Sequence, residues 1–474
     1  MKPLKILSFT VSIIILLSLL CIFFPENGIN FAGKRLLFPS LEDVLIQEEG
    51  NSPKAEIFDP DAQPVIEDSV KNVFADSLRL FHDFFEDSPA RIHLPNNDLT
   101  FFNTLFEVLY NINQQTNIHI LHYGDSQIEG DRITGCLRRM FQERFGGNGP
   151  GLLPIVQPIP SITVSQDYSG NLTRYIISGN LAAKAPHNRY GPLGQATQLS
   201  GSGKITIAPR KNKDAGENIQ TFHKVRLFVS NNSAGFKAKL QTSPKEEPIT
   251  QVITEAGTAM KTLTWNLPVP ARKVIMQFSG KAELSAVALD GEAGVNIDNI
   301  PLRGSSGVFF TEIDTTSIIP AIKELNVRLI MLEFGGNTVP GIRNEKGVEQ
   351  YCKSLARQIA RWKQISPEIP VMLIGPSDMS IRVKGKLQTY PMLPLLVESM
   401  QRTATENGAA FWNMYDAMGG ENSMLRWVKE RPALASADYI HFTTHGADFI
   451  ADLLFRSLMS YYDYFALTKI TPKE

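Results

Sequence analysis

Ser126 stands in the run His122-Tyr-Gly-Asp-Ser-Gln-Ile-Glu-Gly-Asp131, and near the other end of the chain Asp438 precedes His441 by three residues. A serine hydroxyl is a weak nucleophile at neutral pH. It needs a base to take its proton, and the base needs a group that fixes its tautomer. Asp-x-x-His can supply both: the Asp438 carboxylate reaches Nδ1 of His441, and Nε2 is left to face Ser126. Base catalysis of this kind contributes roughly two to four powers of ten. Attack on a carbonyl also needs donors for the oxyanion. The backbone N–H of Ser126, a backbone N–H within Arg303-Gly-Ser-Ser-Gly307 and the side-chain amide of Asn337 are of the right type. Each such donor contributes roughly two to three powers of ten. Singly, these residues are commonplace: Gly-Asp-Ser and Gly-Gly-Asn form turns, and a histidine ahead of a helix often only caps it. Their joint presence points to serine acyl transfer.

Elements on either side must bring these blocks together. Residues 118–123 alternate as a strand. Ile133, Leu137, Met140, Phe141 and Phe145 then recur at helical spacing, closed by Gly146-Gly147. Ser126 is therefore expected on a strand-to-helix turn, with the helix N-terminus and its free N–H groups beside the forming oxyanion. Residues 295–300, 327–334, 371–374 and 409–412 read as further strands. Val348, Tyr351, Leu355, Ile359 and Trp362 share one helical face, and a last helix is expected over 443–461. Strands alternating with helices predict a parallel sheet covered on both faces, with its site at the carboxyl ends of strands. Ser126, Gly307, Asn337 and Ser377 all follow strand ends. Ahead of this pattern, helices are expected over 70–85 and 99–112, with Asp68 and Asn97 as caps.

From about 160 to 298 the period changes to two, as in Val225/Leu227/Val229, Leu263/Trp265/Leu267 and Val274/Met276/Phe278. Short alternating runs between polar turns predict an antiparallel β-sandwich, set inside the α/β pattern. It is either a spacer or a carbohydrate-binding module. The glycine-rich segment 146–151 lacks the Lys-Ser/Thr of a phosphate-binding loop and reads as a flexible turn near the site.

The blocks Gly-Asp-Ser, Gly-x-Ser-Gly, Gly-x-Asn and Asp-x-x-His, in that order, resemble the SGNH (GDSL-type) hydrolase superfamily. The resemblance covers about 96–155 and 296–462. It implies a three-layer α/β/α fold with Ser126 as nucleophile, Ser126, Gly307 and Asn337 as oxyanion donors, Asp438 as orienting carboxylate and His441 as base. Asp125 would hold the turn. Apart from the resemblance, Ser377 and Asp378 follow a strand end, where they either line the pocket or form a solvated loop. Two departures stand out. Gln127 replaces the usual leucine, and Gly304 is an alternative to Gly307. The inserted sandwich, the His-x-Gly-Asp-Ser opening and Trp412-Asn-Met-Tyr-Asp-Ala-Met-Gly-Gly420 are similar to the bacterial peptidoglycan O-acetylesterases, in which the insert is carbohydrate-binding-like.

Length and charge bound these readings. The 474 residues suffice for two or three domains, and a net charge of −1 gives no reason to expect a nucleic-acid partner. Residues 6–24 form an almost wholly apolar run behind Lys2 and Lys5, long enough to span a bilayer. No small-x-small cleavage site follows, which favours an uncleaved signal anchor over a signal peptide. The expected organisation is an anchor over 1–25, a tether over 26–66, a first hydrolase segment over 67–158, the sandwich over 159–298 and a second hydrolase segment over 299–474. Cys21, Cys136 and Cys352 show no metal-ligand spacing and are expected as plain thiols. His445 follows His441 by four, without the glutamate of a zinc-protease motif, so no metal site and no cofactor are expected. The expected activity is removal of O-acetyl groups from a cell-envelope glycan, which the resemblance implies is peptidoglycan, by a membrane-anchored domain exported from the cytoplasm. The same acyl-enzyme could instead serve an O-acetyltransferase, and an inactive glycan-binding surface protein is the non-enzymatic alternative.

Overall fold

The computed structural model of the chain describes residues 29–31, 34–36, 68–179, 183–212 and 215–470. The apolar run at 6–24, Cys21 and most of the expected tether lie outside the described residues. Among the described residues, no helix is long and apolar enough to cross a membrane. The chain divides into two compact units, Met1–Val70 and Lys71–Glu474. In the first, β1 (Ile29–Phe31) and β2 (Lys34–Leu36) pair antiparallel, a short hairpin in a stretch whose weak periodicity predicted only a tether. Helix α1 (Asp68–Asp87) crosses the boundary in sequence.

The second unit opens with β3 (Ile92–His93), α2 (Asn103–Tyr110), β4 (Asn117–Gly124) and α3 (Arg132–Phe145). Eight strands follow: β5 (Gly151–Leu153), β6 (Val164–Ile176), β7 (Gln195–Pro209), β8 (Phe222–Ser230), β9 (Phe236–Gln241), β10 (Ile249–Ile253), β11 (Lys261–Ala271) and β12 (Val274–Asp290). The α/β pattern then resumes with β13 (Gly294–Pro301), α4 (Ile319–Glu324), β14 (Val327–Glu333), α5 (Glu345–Ile365) and β15 (Val371–Ile374). It ends with the hairpin β16 (Ser380–Val383) and β17 (Lys386–Thr389), then α6 (Leu393–Glu406), β18 (Ala410–Trp412), α7 (Met414–Ala417), α8 (Ser423–Lys429) and α9 (Thr444–Ile470).

Six strands form the central sheet in the order β13-β4-β14-β15-β18-β3. All neighbours are parallel except β3, which runs antiparallel at the edge. Alternation along each strand sends side chains to opposite faces. Leu121, Tyr123, Ile330, Leu332 and Leu373 pack against Leu355, Ile359 and Trp362 of α5. Ile118, Ile120, Leu329, Met331 and Met372 pack on the other face, against Leu137 of α3 and Ile450, Leu454 and Leu458 of α9. Each such fully buried side chain contributes about 1.5–3 kcal/mol relative to exposure. The result is the expected α/β/α layering. The helix expected over 99–112 is shorter, because Asn96 and Asn97 adopt positive φ and the chain turns before α2 begins.

The strands between α3 and β13 form one continuous eight-stranded antiparallel sheet, where two separate sheets were expected. Strand β12 is the reason. It pairs with β9 along its first half, with β8 along its second, and with β7 through most of its length. Gly280, at φ +113°, and a register shift between Leu284 and Ala286 mark where it bends. Inward residues of these strands share a single apolar core, including Ile205, Val225, Phe236, Trp265, Met276 and Val287. Strand β5 already belongs to this sheet, whereas β13 belongs to the parallel one, so strand pairing runs outside the expected 159–298 span at one end and inside it at the other. Glycines of segment 146–151 pack tightly here. A side chain on Gly149 would stand 2.3 Å from the Leu289 carbonyl, so the segment is a close-packed junction and not a loose turn lining the site.

A buried charge network fastens the insertion to the sheet. His119 of β4 is fully buried, with Nδ1 2.7 Å from Asp298 of β13 and Nε2 3.3 Å from Asp290 of β12. Arg226 of β8 donates to Asp290 at 2.7 Å, and the Leu152 N–H donates to Asp298 at 2.7 Å. Burial alone would depress the imidazole, but the two carboxylates overcome it and hold His119 at about 9. Because that lies above the ordinary 6.5, the stabilisation is complete below about pH 6.5 and is lost as pH rises through about 9. The thermal midpoint is therefore expected to fall between pH 7 and 10. His119→Ala should remove most of that slope and cost about 3–5 kcal/mol at neutral pH, since it leaves two buried carboxylates short of a cation.

Candidate active site

Strand β4 ends at Gly124, and the chain bends sharply through Asp125 and Ser126. Gly124 lies against Ile128, where even a methyl group would come within 2.9 Å. A single 3-10 turn, Glu129–Asp131, then intervenes before α3. Ser126 thus lies on the expected strand-to-helix turn; Gly130 and Asp131 adopt positive φ, and the helix proper begins only at Arg132. Arg132 compensates by tying the turn down. Its guanidinium donates to the carbonyls of Ser126 (2.9 Å) and Phe442 (3.0 Å), linking the serine turn to the histidine segment.

The histidine segment is a tight loop before α9. Ser436 N–H donates to the His441 carbonyl at 2.8 Å, and Tyr439 takes a positive φ. Asp438 Oδ1 accepts the N–H groups of Ile440 and His441, both at 3.0 Å, and its Oδ2 lies 2.7 Å from His441 Nδ1. His441 Nε2 is 3.0 Å from Ser126 Oγ. Partial burial would raise the Asp438 carboxyl, but these three hydrogen bonds hold it below its ordinary value. A carboxylate on Nδ1 and a hydroxyl on Nε2 fix the tautomer that can accept the serine proton.

These groups open onto a groove of about 310 Å³ that also exposes Gly304, Asn337, Asp125 and Ser377. Gly307 is not on its wall. The Gly307 N–H is taken by Ser305 Oγ at 3.1 Å, and its Cα packs against Phe334 so closely that a side chain would meet the ring at 2.5 Å. Gly304 has φ +75° and open space where a side chain would stand. No hydrogen bond to another described residue occupies its N–H. The geometry therefore favours Gly304 over Gly307 as the backbone donor beside Ser126. Gly307→Ala should act as overpacking, lowering stability by about 1–3 kcal/mol with kcat retained in the folded fraction. Gly304→Ala, which adds a Cβ at positive φ, should tilt the donor and lower kcat by up to roughly two powers of ten. Thermal melts and initial rates on the two variants separate the roles.

Asn337 follows β14, and its amide donates to Asp125 Oδ2 at 2.8 Å and to the Ser305 carbonyl at 3.2 Å. The shorter bond aims the amide into the groove; the longer one can yield to a better acceptor. Asp125 accepts the Gln127 N–H at 3.0 Å as well. Its burial, together with nearby Glu333, pushes the Asp125 carboxyl up to about 7. Ser377 accepts from Gln127 Nε2 at 3.2 Å. The same Nε2 donates to the Ile440 carbonyl at 2.7 Å. Gln127 is thus a strut between the serine turn, the end of β15 and the histidine loop. In sequence it registered only as a departure from leucine, and nothing local signals partners more than 300 residues away. Glu333, at the end of β14, was likewise not singled out; its Oε2 is 3.0 Å from buried His122 Nε2, and its Oε1 has no partner in the groove floor. His445 faces no ligand set: among the described residues, no group of three or more His, Cys, Asp or Glu side chains is placed to hold a metal. Cys136 and Cys352 are buried.

No protein-family model matches the chain, and no curated protein matches it significantly. Among solved structures it is similar to a peptidoglycan O-acetylesterase, with 18% identity and a TM-score of 0.62, over 77% of this chain and 96% of that one. At this identity the likeness shows the fold alone. The chain also aligns with a family two carbohydrate esterase from Cellvibrio japonicus (9% identity, TM-score 0.25, 64% of this chain and 99% of that one). An acetyl xylan esterase aligns over less of the chain (14%, TM-score 0.26, 35% and 81%). Superpositions as loose as these last two carry no argument.

Proposed function

We infer that this chain, whose fold is that of the SGNH hydrolases, is a serine esterase that removes O-acetyl groups from a cell-envelope glycan, with peptidoglycan as the first substrate to test. The observation that carries this reading is the continuous chain Asp438–His441–Ser126, at 2.7 and 3.0 Å, ending in a groove that also presents Gly304 and Asn337. Ser126 Oγ attacks the acetyl carbonyl while His441 Nε2 takes its proton. The oxyanion is held by the N–H groups of Ser126 and Gly304 and by the Asn337 amide. Collapse transfers the proton from His441 to the departing sugar oxygen and leaves acetyl on Ser126. Water, deprotonated by the same imidazole, releases acetate. The apolar segment 6–24 would hold the enzyme at the membrane, with its catalytic unit on the glycan side.

The test is acetate release by the full-length protein from p-nitrophenyl acetate and from O-acetylated peptidoglycan, beside Ser126→Ala. Release from both, lost in the variant, is the expected result. Release from the small ester alone would keep the serine chemistry and remove the glycan assignment. No release from either by folded protein would overturn the esterase reading.

A further inference from the structure

Beside the catalytic groove lies a second cavity, of about 420 Å³, and the two share Arg303 and Gly304 as a common wall. Its surface is mostly apolar and is drawn from both the hydrolase part and the insertion, with Val156, Ile159, Ile176, Leu193 and Ile300 prominent. A cavity of this size suits a sugar-sized group.

Its charges are not balanced. Asp131 and Arg138 cancel as a bidentate pair at 2.7 and 3.0 Å. Glu129 is matched by Arg303 at 3.5 Å. Arg174 of β6 is left over. Its Nε donates to the neutral Gln195 Oε1 at 2.6 Å, and among the described residues no carboxylate lies within ion-pair distance of it. A guanidinium carries five donor hydrogens in a planar fork suited to a carboxylate. Half-buried against apolar walls without a counter-charge, it is costly unless an anion completes it.

We propose that this cavity is a carboxylate-binding subsite, in which Arg174 receives a carboxylate carried by the glycan, on a sugar or on its peptide substituent, in the unit beside the acetyl ester. The apolar walls cover the remainder of that unit, and Gly304, with no side chain, leaves the passage between cavity and groove open. The enzyme's preferred substrate is then an acidic glycan, chosen by the insertion and not by the catalytic residues. This proposal rests on the glycan esterase reading.

Binding tests it independently of turnover. The full-length protein carrying Ser126→Ala, which leaves the ester intact, is co-sedimented with O-acetylated peptidoglycan. The polymer is used as isolated and after its carboxyls have been converted to amides. Adding Arg174→Gln should weaken binding to the native polymer roughly tenfold or more, leave binding to the amidated polymer unchanged, and be partly rescued by Arg174→Lys. In protein with an intact Ser126, Arg174→Gln should leave p-nitrophenyl acetate turnover unchanged, which also reports a folded site. Ser178→Trp, which places a bulky ring in the cavity, should weaken binding to both polymers. Equal binding of the native polymer with and without Arg174→Gln would overturn the proposal, as would an equal loss on native and amidated polymer. If Arg174-dependent binding holds while intact Ser126 releases no acetate, the esterase reading fails and the subsite stands.

Discussion

Ser126→Ala is expected to lower kcat for p-nitrophenyl acetate by roughly four to six powers of ten, and His441→Ala by a comparable factor. The double variant should lose almost nothing further. The reason is geometric. Ser126 Oγ and His441 Nε2 are 3.0 Å apart and act as one unit, so removing either removes the activated oxygen. What survives in all three variants is the oxyanion hole and substrate binding, which in serine hydrolases leave roughly three to four powers of ten over water. Neither substitution should alter the thermal midpoint much, because Ser126 and His441 are both partly exposed and neither fills the core. Additive losses in the double variant would mean that the two residues do not share a proton-transfer step.

Asp438→Asn should cost roughly 10³–10⁴ in kcat while leaving substrate affinity near its original value. An asparagine can keep the two backbone hydrogen bonds from Ile440 and His441 through its oxygen, so the loop keeps its shape. Its NH₂ group then meets His441 Nδ1 where Asp438 Oδ2 accepted at 2.7 Å. A donor there forces the imidazole proton onto Nε2, directly against the Ser126 hydroxyl, and the base is lost. Asp438→Ala removes the clash as well as the acceptor and should retain more activity than the asparagine variant. That ranking, measured as single-turnover rates, distinguishes a tautomer effect from a purely structural role.

Much of this site was legible in the sequence because its parts obey local rules. The β4, β13, β14 and β15 strands show as apolar runs at the expected positions, and α5 shows as a single face of Val348, Tyr351, Leu355, Ile359 and Trp362. Order along the chain then placed Ser126, Asn337, Asp438 and His441 at one edge. Choosing between Gly304 and Gly307 was not possible from spacing, since both are glycines at positive φ in one short loop. The difference lies in a long-range contact, the Phe334 ring against Gly307. Gln127 and Arg132 were opaque for the same reason, as their partners lie on the far histidine loop. Strands β6 and β10 went unread because their exposed residues are as polar as a turn, and the β16–β17 hairpin because it is short and stands apart from both main sheets.

The pairing of β5 with β12 has an evolutionary consequence. Leu289 lies opposite Gly151, so the chain enters and leaves the insertion through two hydrogen-bonded neighbours. A segment whose ends touch can be gained, lost or exchanged in one recombination event without stretching the host sheet, as a cassette. The cassette here is not electrically neutral toward its host. It supplies Arg226 and Asp290 to His119, a residue of the host strand β4. A swapped-in module would have to bring the same two charges or be accompanied by a change at position 119, so cassette and host strand are expected to have been inherited as a matched pair.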